Sequence, residues 1–269
     1  MPLFAHFIIL LVRICEKMAG LLFRIQQLLT GTLPVLLSPT ELTELIRNHY
    51  DDNYRDVAAH SPETCYEWAL ESWEEDVLAR YKIKSGTILV LGAGVGRESI
   101  ALAQRGLTVV GLDINRESLG VASQQATANG PQPLFAQADF LAIPIGIGQV
   151  DCVFMSGIMY SSIPGRQRRQ TWLRSLRPCM NEDGLLVLNF LIAREMDTLT
   201  QRLIHRLNCW LIRLPGANQS YQFGDTCSQN HFLHAFVDEE EIRSELCDAG
   251  ARVNHMSWHE GYAVVSWPG

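Results

Sequence analysis

Ile88-Leu-Val-Leu91 is an aliphatic run that breaks directly into Gly92-x-Gly94-x-Gly96, and a second apolar run, Thr108-Val-Val-Gly-Leu, ends in Asp113. A run without polar alternation marks a strand buried on both faces, as in a parallel sheet between two helix layers. Glycines at its end let the chain turn tightly and bring bare backbone close to a ligand. Arg97 to Arg105 reads as a helix, with Ile100, Leu102 and Ala103 facing the sheet. A carboxylate at the tip of the next strand can accept two hydrogen bonds from a ribose diol. The pairing therefore describes a nucleotide-type cofactor site at the carboxyl ends of the first two strands of a parallel sheet.

Glycine spacing selects the cofactor. A dinucleotide site prefers G-x-G-x-x-G, because a pyrophosphate must rest on the helix N-terminus. Here the third glycine comes one residue early, and Arg97 stands where that fingerprint has glycine. G-x-G-x-G followed by an acid closing the second strand resembles the class I S-adenosylmethionine-dependent methyltransferases. The segments that follow keep the family's order. Arg116 to Asn129 is a helix stopped by Asn-Gly-Pro, and Pro133 to Phe140 looks like a third strand with Asp139 at its tip. Gln149 to Ser156 matches the fourth strand, and Leu176 to Phe190 resembles the family's turn and fifth strand.

The resemblance runs from Ser38 to the C-terminus, and it implies S-adenosylmethionine as cofactor. Carried over residue by residue, it assigns Gly92, Ala93, Gly94 and Gly96 to the loop, and Asp113 with Ile114 to the ribose. Asp139 and Phe140 would face the adenine, Ser156 the methyl end, and Tyr50, on a leading helix, the sulfonium. The implied fold is α/β: a doubly wound, Rossmann-like seven-stranded sheet with an antiparallel last strand. Arg252 to Trp258 and Gly261 to Trp267 supply the closing hairpin, after a helix from Asp238 to Ala249. One departure stands out: Val90 occupies the position, two before the first glycine, where the family usually has an acid. The cofactor's amine then needs another partner, such as a backbone carbonyl of Gly92 or Ser156, or the side chain of Asp51 or Asp52.

The rest of the chain narrows the function. A net charge of −7 gives no electrostatic footprint for duplex nucleic acid, so no nucleic-acid partner is expected. Seven cysteines without C-x-x-C spacing argue for reduced thiols in the cytoplasm rather than a disulfide framework or zinc site. Residues 1–37 form an apolar extension, interrupted by Arg13, Glu16, Lys17 and Arg24, ahead of a domain spanning residues 38–269. The run before Arg13 is too short to span a bilayer, and no basic residue precedes it as in a signal peptide. Two readings remain for it: a helix or helix pair docked on the core, or a segment lying in a membrane interface.

Ser38-Pro39-Thr-Glu41 opens the folded domain as a capped helix that carries Tyr50 and Tyr54. A further helix is expected from about Tyr66 through Trp73. An insertion at about residues 192–235 follows the fifth strand; its first half, Met196 to Leu214, is an amphipathic helix and its second half returns toward the sheet. Insertions above the carboxyl ends of the strands commonly build the acceptor pocket. His234 and Tyr160 are the expected catalytic side chains, His234 as a general base on an acceptor hydroxyl or amine. His231 and His234 lack a third ligand, so no metal is expected. Arg166, Arg168, Arg169, Arg174 and Arg177 are read as the solvated face of a helix whose buried face is Trp172, Leu173 and Leu176. The expected activity is methyl transfer to an oxygen or nitrogen of a small-molecule acceptor. The alternatives are a membrane-associated enzyme acting on a lipid or quinone-like acceptor, and a non-catalytic cofactor-binding scaffold.

Overall fold

The computed structural model describes residues 2–54, 70–129, 132–143, 148–155, 157–193, 199–228 and 231–268. The aliphatic run forms the first strand, β1 (Thr87–Leu91), and the second run forms β2 (Thr108–Asp113) with its acid at the tip. Between them lies α4 (Arg97–Gln104), and after them come α5 (Arg116–Asn129), β3 (Leu134–Gln137) and β4 (Val150–Met155). Helix α6 (Arg166–Leu176) leads into β5 (Met180–Asn189), and α8 (Glu239–Asp248) precedes the hairpin of β8 (Arg252–Ser257) and β9 (Tyr262–Ser266).

These strands make one seven-stranded sheet in the order β3-β2-β1-β4-β5-β9-β8. Strands β1 to β5 pair in parallel, while β9 is antiparallel to both β5 and β8. Both faces are covered, and successive residues divide between them. Leu89 and Leu91 join one buried cluster with Val153, Leu186 and Val265. Ile88 and Val90 join the other with Phe154, Val187 and Val264. Strand order reverses at β1, with β2 and β3 added on one side and β4 and β5 on the other, so the crevice for a ligand opens there at the strands' carboxyl ends. Strand β5 falls inside the segment Leu176 to Phe190 that resembles the family's turn and fifth strand.

Outside the sheet, residues 2–36 form a single helix, α1 (Pro2–Leu36), of 35 residues. Its large apolar side chains from Phe4 through Leu29 are exposed, and only its last turns pack. This differs from a docked helix pair. The end of α1 is clasped by two asparagines: Asn208 donates to the Gly31 carbonyl at 2.8 Å, and Asn218 donates to the Pro34 carbonyl at 2.8 Å. Asn208 lies on α7 (Leu199–Leu211), the insertion's helix, whose bounds fall inside the expected 196–214. The second half of the insertion is a two-stranded antiparallel ribbon, β6 (Asp225–Ser228) and β7 (His231–His234). Helix α2 (Pro39–Tyr54) begins with a reciprocal cap, Ser38 N–H donating to Glu41 at 2.7 Å and Glu41 N–H donating to Ser38 Oγ at 3.3 Å. Leu42 and Ile46 of α2 pack on Cys227 and Phe232 of the ribbon. Half of the helix expected over 66–73 lies outside the described residues; α3 runs from Ser72 to Arg80.

Candidate functional site

The three glycines of the loop do different work. All have positive φ, at 74°, 51° and 94° for Gly92, Gly94 and Gly96, a region costly for any residue with a Cβ. A Cβ on Gly92 would collide with the Met159 sulfur, so the loop and the turn after β4 are in direct contact. A Cβ on Gly96 would lie 3.0 Å from Ala122 Cβ and 3.2 Å from Phe135 Cζ, which makes this glycine a packing requirement between α4, α5 and β3. Beside Gly94 there is no atom within 4 Å, and its free side forms part of a cleft.

That contrast yields two expected results. Gly96→Ala should destabilise the fold by about 2–4 kcal/mol through strain and overpacking, read by urea denaturation. Gly94→Ala should cost only about 1 kcal/mol of stability, yet weaken a ligand in the cleft by about tenfold or more, because its methyl enters the ligand's space.

The cleft has a volume of about 270 Å³. Gly92, Gly94, Asp113, Ile114, Asp139 and Phe140 all line it, so six of the residues nominated from sequence are brought together. Ala93 and Gly96 lie behind it: Ala93 is buried, with its Cβ against Gly111. Ser156 lies outside the described residues, as does the side chain of Tyr50; those of Asp51 and Asp52 do too. The turn that follows Ser156 contributes Gly157, Ile158, Met159 and Ser162.

Asp113 organises the loop as well as facing the cleft. Its Oδ2 accepts from Gly94 N–H at 2.8 Å and its Oδ1 from Asn115 N–H at 2.8 Å. Burial pushes its carboxyl above the usual 3.8, with the Asn115 and Gly94 amides pulling against that. Gly92 and Ala93 N–H both donate to the Leu112 carbonyl at 2.9 Å. The loop is thus held by β2, which explains how Val90 is accommodated: it is fully buried in the sheet's core, and no carboxylate is needed to orient the turn.

Sequence reasoning missed the wall opposite. Thr43, Ile46 and Arg47 of α2 line the cleft, and Arg47 pairs with Asp139 across it. Asp139 Oδ1 also accepts from Leu141 N–H at 2.9 Å. Nothing in the local pattern marks Arg47, because its partner is 92 positions away.

His234 and Tyr160 do not line this cleft. The Tyr160 ring is fully buried, and its hydroxyl donates to Glu245 at 2.5 Å. His234 is also fully buried, with Nδ1 2.7 Å from Asp225 and Nε2 3.2 Å from Glu241. Both partners are acceptors, so the ring donates from both nitrogens. Burial works against its charge and Arg169 does the same, but the two carboxylates outweigh them and hold the imidazole above its usual 6.5. The five arginines of α6 and its end are not all solvated either: Arg169 is fully buried, paired to Glu245 at 2.7 and 2.8 Å. Among the described residues there is no cluster able to hold a metal ion.

The two ribbon histidines give opposite pH dependences. His234, raised in the folded state, contributes stability that is complete below its unfolded value of 6.5 and is lost as pH climbs through the folded value. His231 is pushed down to about 4 by burial and the nearby His49, so it costs stability as pH falls from 6.5 toward 4. In His234→Gln, the loss of stability as pH rises above 6.5 should flatten relative to the parent, measured by urea midpoints across pH. An unchanged slope there would refute the charged reading of His234.

A second, larger cleft of about 960 Å³ lies between α1, α7 and the ribbon. Phe23, Ile192, Ile204, Tyr221 and Phe223 give it apolar walls, and His205 and Asp225 give it polar ones. His205 Nδ1 is 3.1 Å from the Tyr221 hydroxyl, whose pKa burial pushes up to about 12.

Residues 88–184 match the family model described as a methyltransferase domain. No protein of curated function matches the chain in sequence. Among solved structures, an S-adenosylmethionine-dependent methyltransferase from Clostridium acetobutylicum is 11% identical, with 83% of this chain and 99% of that one covered and a TM-score of 0.55. The 1,6-didemethyltoxoflavin-N1-methyltransferase of Burkholderia thailandensis, solved with S-adenosylhomocysteine, is 14% identical over 87% and 92% of the two chains, at a TM-score of 0.61. A methyltransferase of Methanosarcina mazei is 18% identical over 71% and 97%, at 0.53. These likenesses establish the fold.

Proposed function

We propose that the chain is a class I S-adenosylmethionine-dependent methyltransferase, as the match of residues 88–184 to a methyltransferase domain supports, and that it methylates an oxygen or nitrogen of a small-molecule acceptor. The observation that carries the reading is the cleft at the β1/β2 tips, where an open-sided Gly94 and the Asp113 carboxylate lie side by side. The residues fit the cofactor: a cradle that a Cβ would fill, an acid for the ribose diol, and Asp139 with Phe140 for the base.

S-adenosylmethionine, when bound, supplies a methyl group on a sulfonium whose leaving group is already activated. The chain's task is then binding, orientation and exclusion of water. Asp113 and the loop fix one end of the cleft, and α2 closes it through the Arg47–Asp139 pair. The acceptor has to meet the methyl group at the first cleft, where the turn after β4 brings Gly157, Met159 and Ser162 to the wall. His234 we assign a structural role, since both its nitrogens are engaged. Six free thiols among the described residues support a reducing, cytoplasmic setting.

The test is transfer of labelled methyl from S-adenosylmethionine across a panel of phenols, alcohols, amines and carboxylates. Turnover of an acceptor that falls in Asp113→Ala together with S-adenosylhomocysteine binding would support the reading. Binding of cofactor without transfer to any acceptor would favour the scaffold.

A further inference from the structure

We propose that α1 and α7 form a peripheral membrane anchor that docks this protein on an anionic lipid bilayer. Helix α1 stands out from the domain with its apolar side chains in water: Phe4, Leu22 and Phe23 are 68%, 63% and 59% exposed. At 1.5 Å per residue its 35 residues extend about 50 Å, of which only the last turns pack. A helix with apolar residues around most of its circumference needs an apolar environment outside its own fold.

The polar residues of α1 show what that environment is. His6, Arg13, Lys17 and Arg24 are spaced by seven, four and seven positions, which at helical periodicity sets them on one stripe. Glu16 and Gln27 border this stripe, and Phe4, Phe7, Leu11, Ile14, Met18 and Leu22 lie on the far side. Three basic residues against one acid is the reverse of the chain's net charge of −7. A broad apolar arc with a narrow basic stripe matches an interfacial helix, with apolar side chains in the acyl boundary and cations at lipid phosphates. No helix among the described residues is long and apolar enough to cross a membrane, because Arg13, Glu16 and Lys17 interrupt the run. The helix therefore lies along the surface.

Helix α7 repeats the pattern independently. Leu199, Leu203 and Trp210 are 78%, 61% and 58% exposed on one stripe, and Arg202, Arg206 and Arg213 flank it with no acid from residue 199 to 214. Tryptophan and arginine beside exposed leucines are what a headgroup layer accommodates. A second copy of the chain suits these surfaces less well: a two-helix seam buries a narrow stripe, and the arc on α1 is wider than that.

This inference stands apart from the methyl-transfer reading, and its test separates the two. The full-length protein is sedimented with vesicles of equal parts phosphatidylcholine and phosphatidylglycerol, and with phosphatidylcholine alone. Binding to the anionic vesicles that weakens with salt is expected. Reversing Arg13, Lys17 and Arg24 to glutamate should lower it by about a hundredfold, at about fivefold or more per cation. Leu203→Glu with Trp210→Glu should weaken it too, and both variants should keep S-adenosylhomocysteine binding and the parent's circular dichroism. Absence of vesicle binding, or equal partition into both vesicle types that survives charge reversal, would overturn the anchor. So would a dimer, lost in the same variants, without any vesicle binding. Loss of S-adenosylhomocysteine binding by the parent protein would instead strike at the methyltransferase reading and leave the anchor to be judged on the vesicles.

Discussion

Asp113→Ala is expected to weaken S-adenosylhomocysteine binding by about a hundredfold or more, measured by titration calorimetry. Two losses combine. The carboxylate is the acceptor for the ribose diol, and hydrogen bonds to a charged group are worth about 1.5–3 kcal/mol each. The same two oxygens also accept from Gly94 and Asn115 N–H, so the mutation releases the glycine loop and the turn after β2 together. Asp113→Asn keeps the shape and one acceptor oxygen, and should lose about tenfold. Stability should fall by about 1–3 kcal/mol in Asp113→Ala, which leaves the Gly94 and Asn115 amides without their acceptor, and by less in Asp113→Asn. Undiminished affinity in Asp113→Ala, or a preference of the parent protein for NAD, would remove the basis for the cofactor assignment.

Why Asp113 was legible in the sequence, and Arg47 was not, follows from the range of the forces involved. Strand β2 and helix α5 have the bounds that pattern alone suggests, because a buried strand, a glycine turn and a helix stop are local statements. The tip residues Asp113 and Asp139 follow from where those strands end. The opposite wall of the cleft is set by tertiary packing: α2 is placed by Leu42 and Ile46 against Cys227 and Phe232, about two thirds of the chain away. Helical periodicity likewise marked α6 as amphipathic but gave its arginines to solvent. Arg169 is buried because Glu245, 76 positions on, meets it inside the core. For residues 1–37 the pattern left a docked helix or helix pair and an interfacial segment both open, and only the structure shows one long helix with most of its length on no protein surface.

Arg169→Ala is expected to give the largest loss of stability of any single change considered, about 3–5 kcal/mol, because it strands a buried carboxylate. Both partners have 0% side-chain exposure, and the pair is bidentate. Arg169 also donates to the Ile163 carbonyl and to Gln222 at 3.2 Å, and Glu245 accepts from the Tyr160 hydroxyl. Removing the arginine leaves Glu245 with only a phenol, in surroundings that solvate charge poorly. Removing the whole polar set is a different experiment. In Arg169→Met, Glu245→Leu, Tyr160→Phe no charge is stranded and no hydroxyl is left without an acceptor, so stability should return to within about 2 kcal/mol of the parent. Urea midpoints at constant m would measure both, and the coupling between Arg169 and Glu245 should exceed about 2 kcal/mol in a double-mutant cycle. The network also reaches the cofactor cleft, since Tyr160 sits in the short turn Met159–Ser162, whose first and last residues line it. Arg169→Ala should therefore weaken S-adenosylhomocysteine binding as well as the fold, while the apolar triple variant, which keeps that turn packed, should bind nearly as the parent does. If the triple variant folds but loses affinity, Tyr160 acts on the site through its hydroxyl after all, and the structural role argued for the network would give way to the catalytic one expected from sequence.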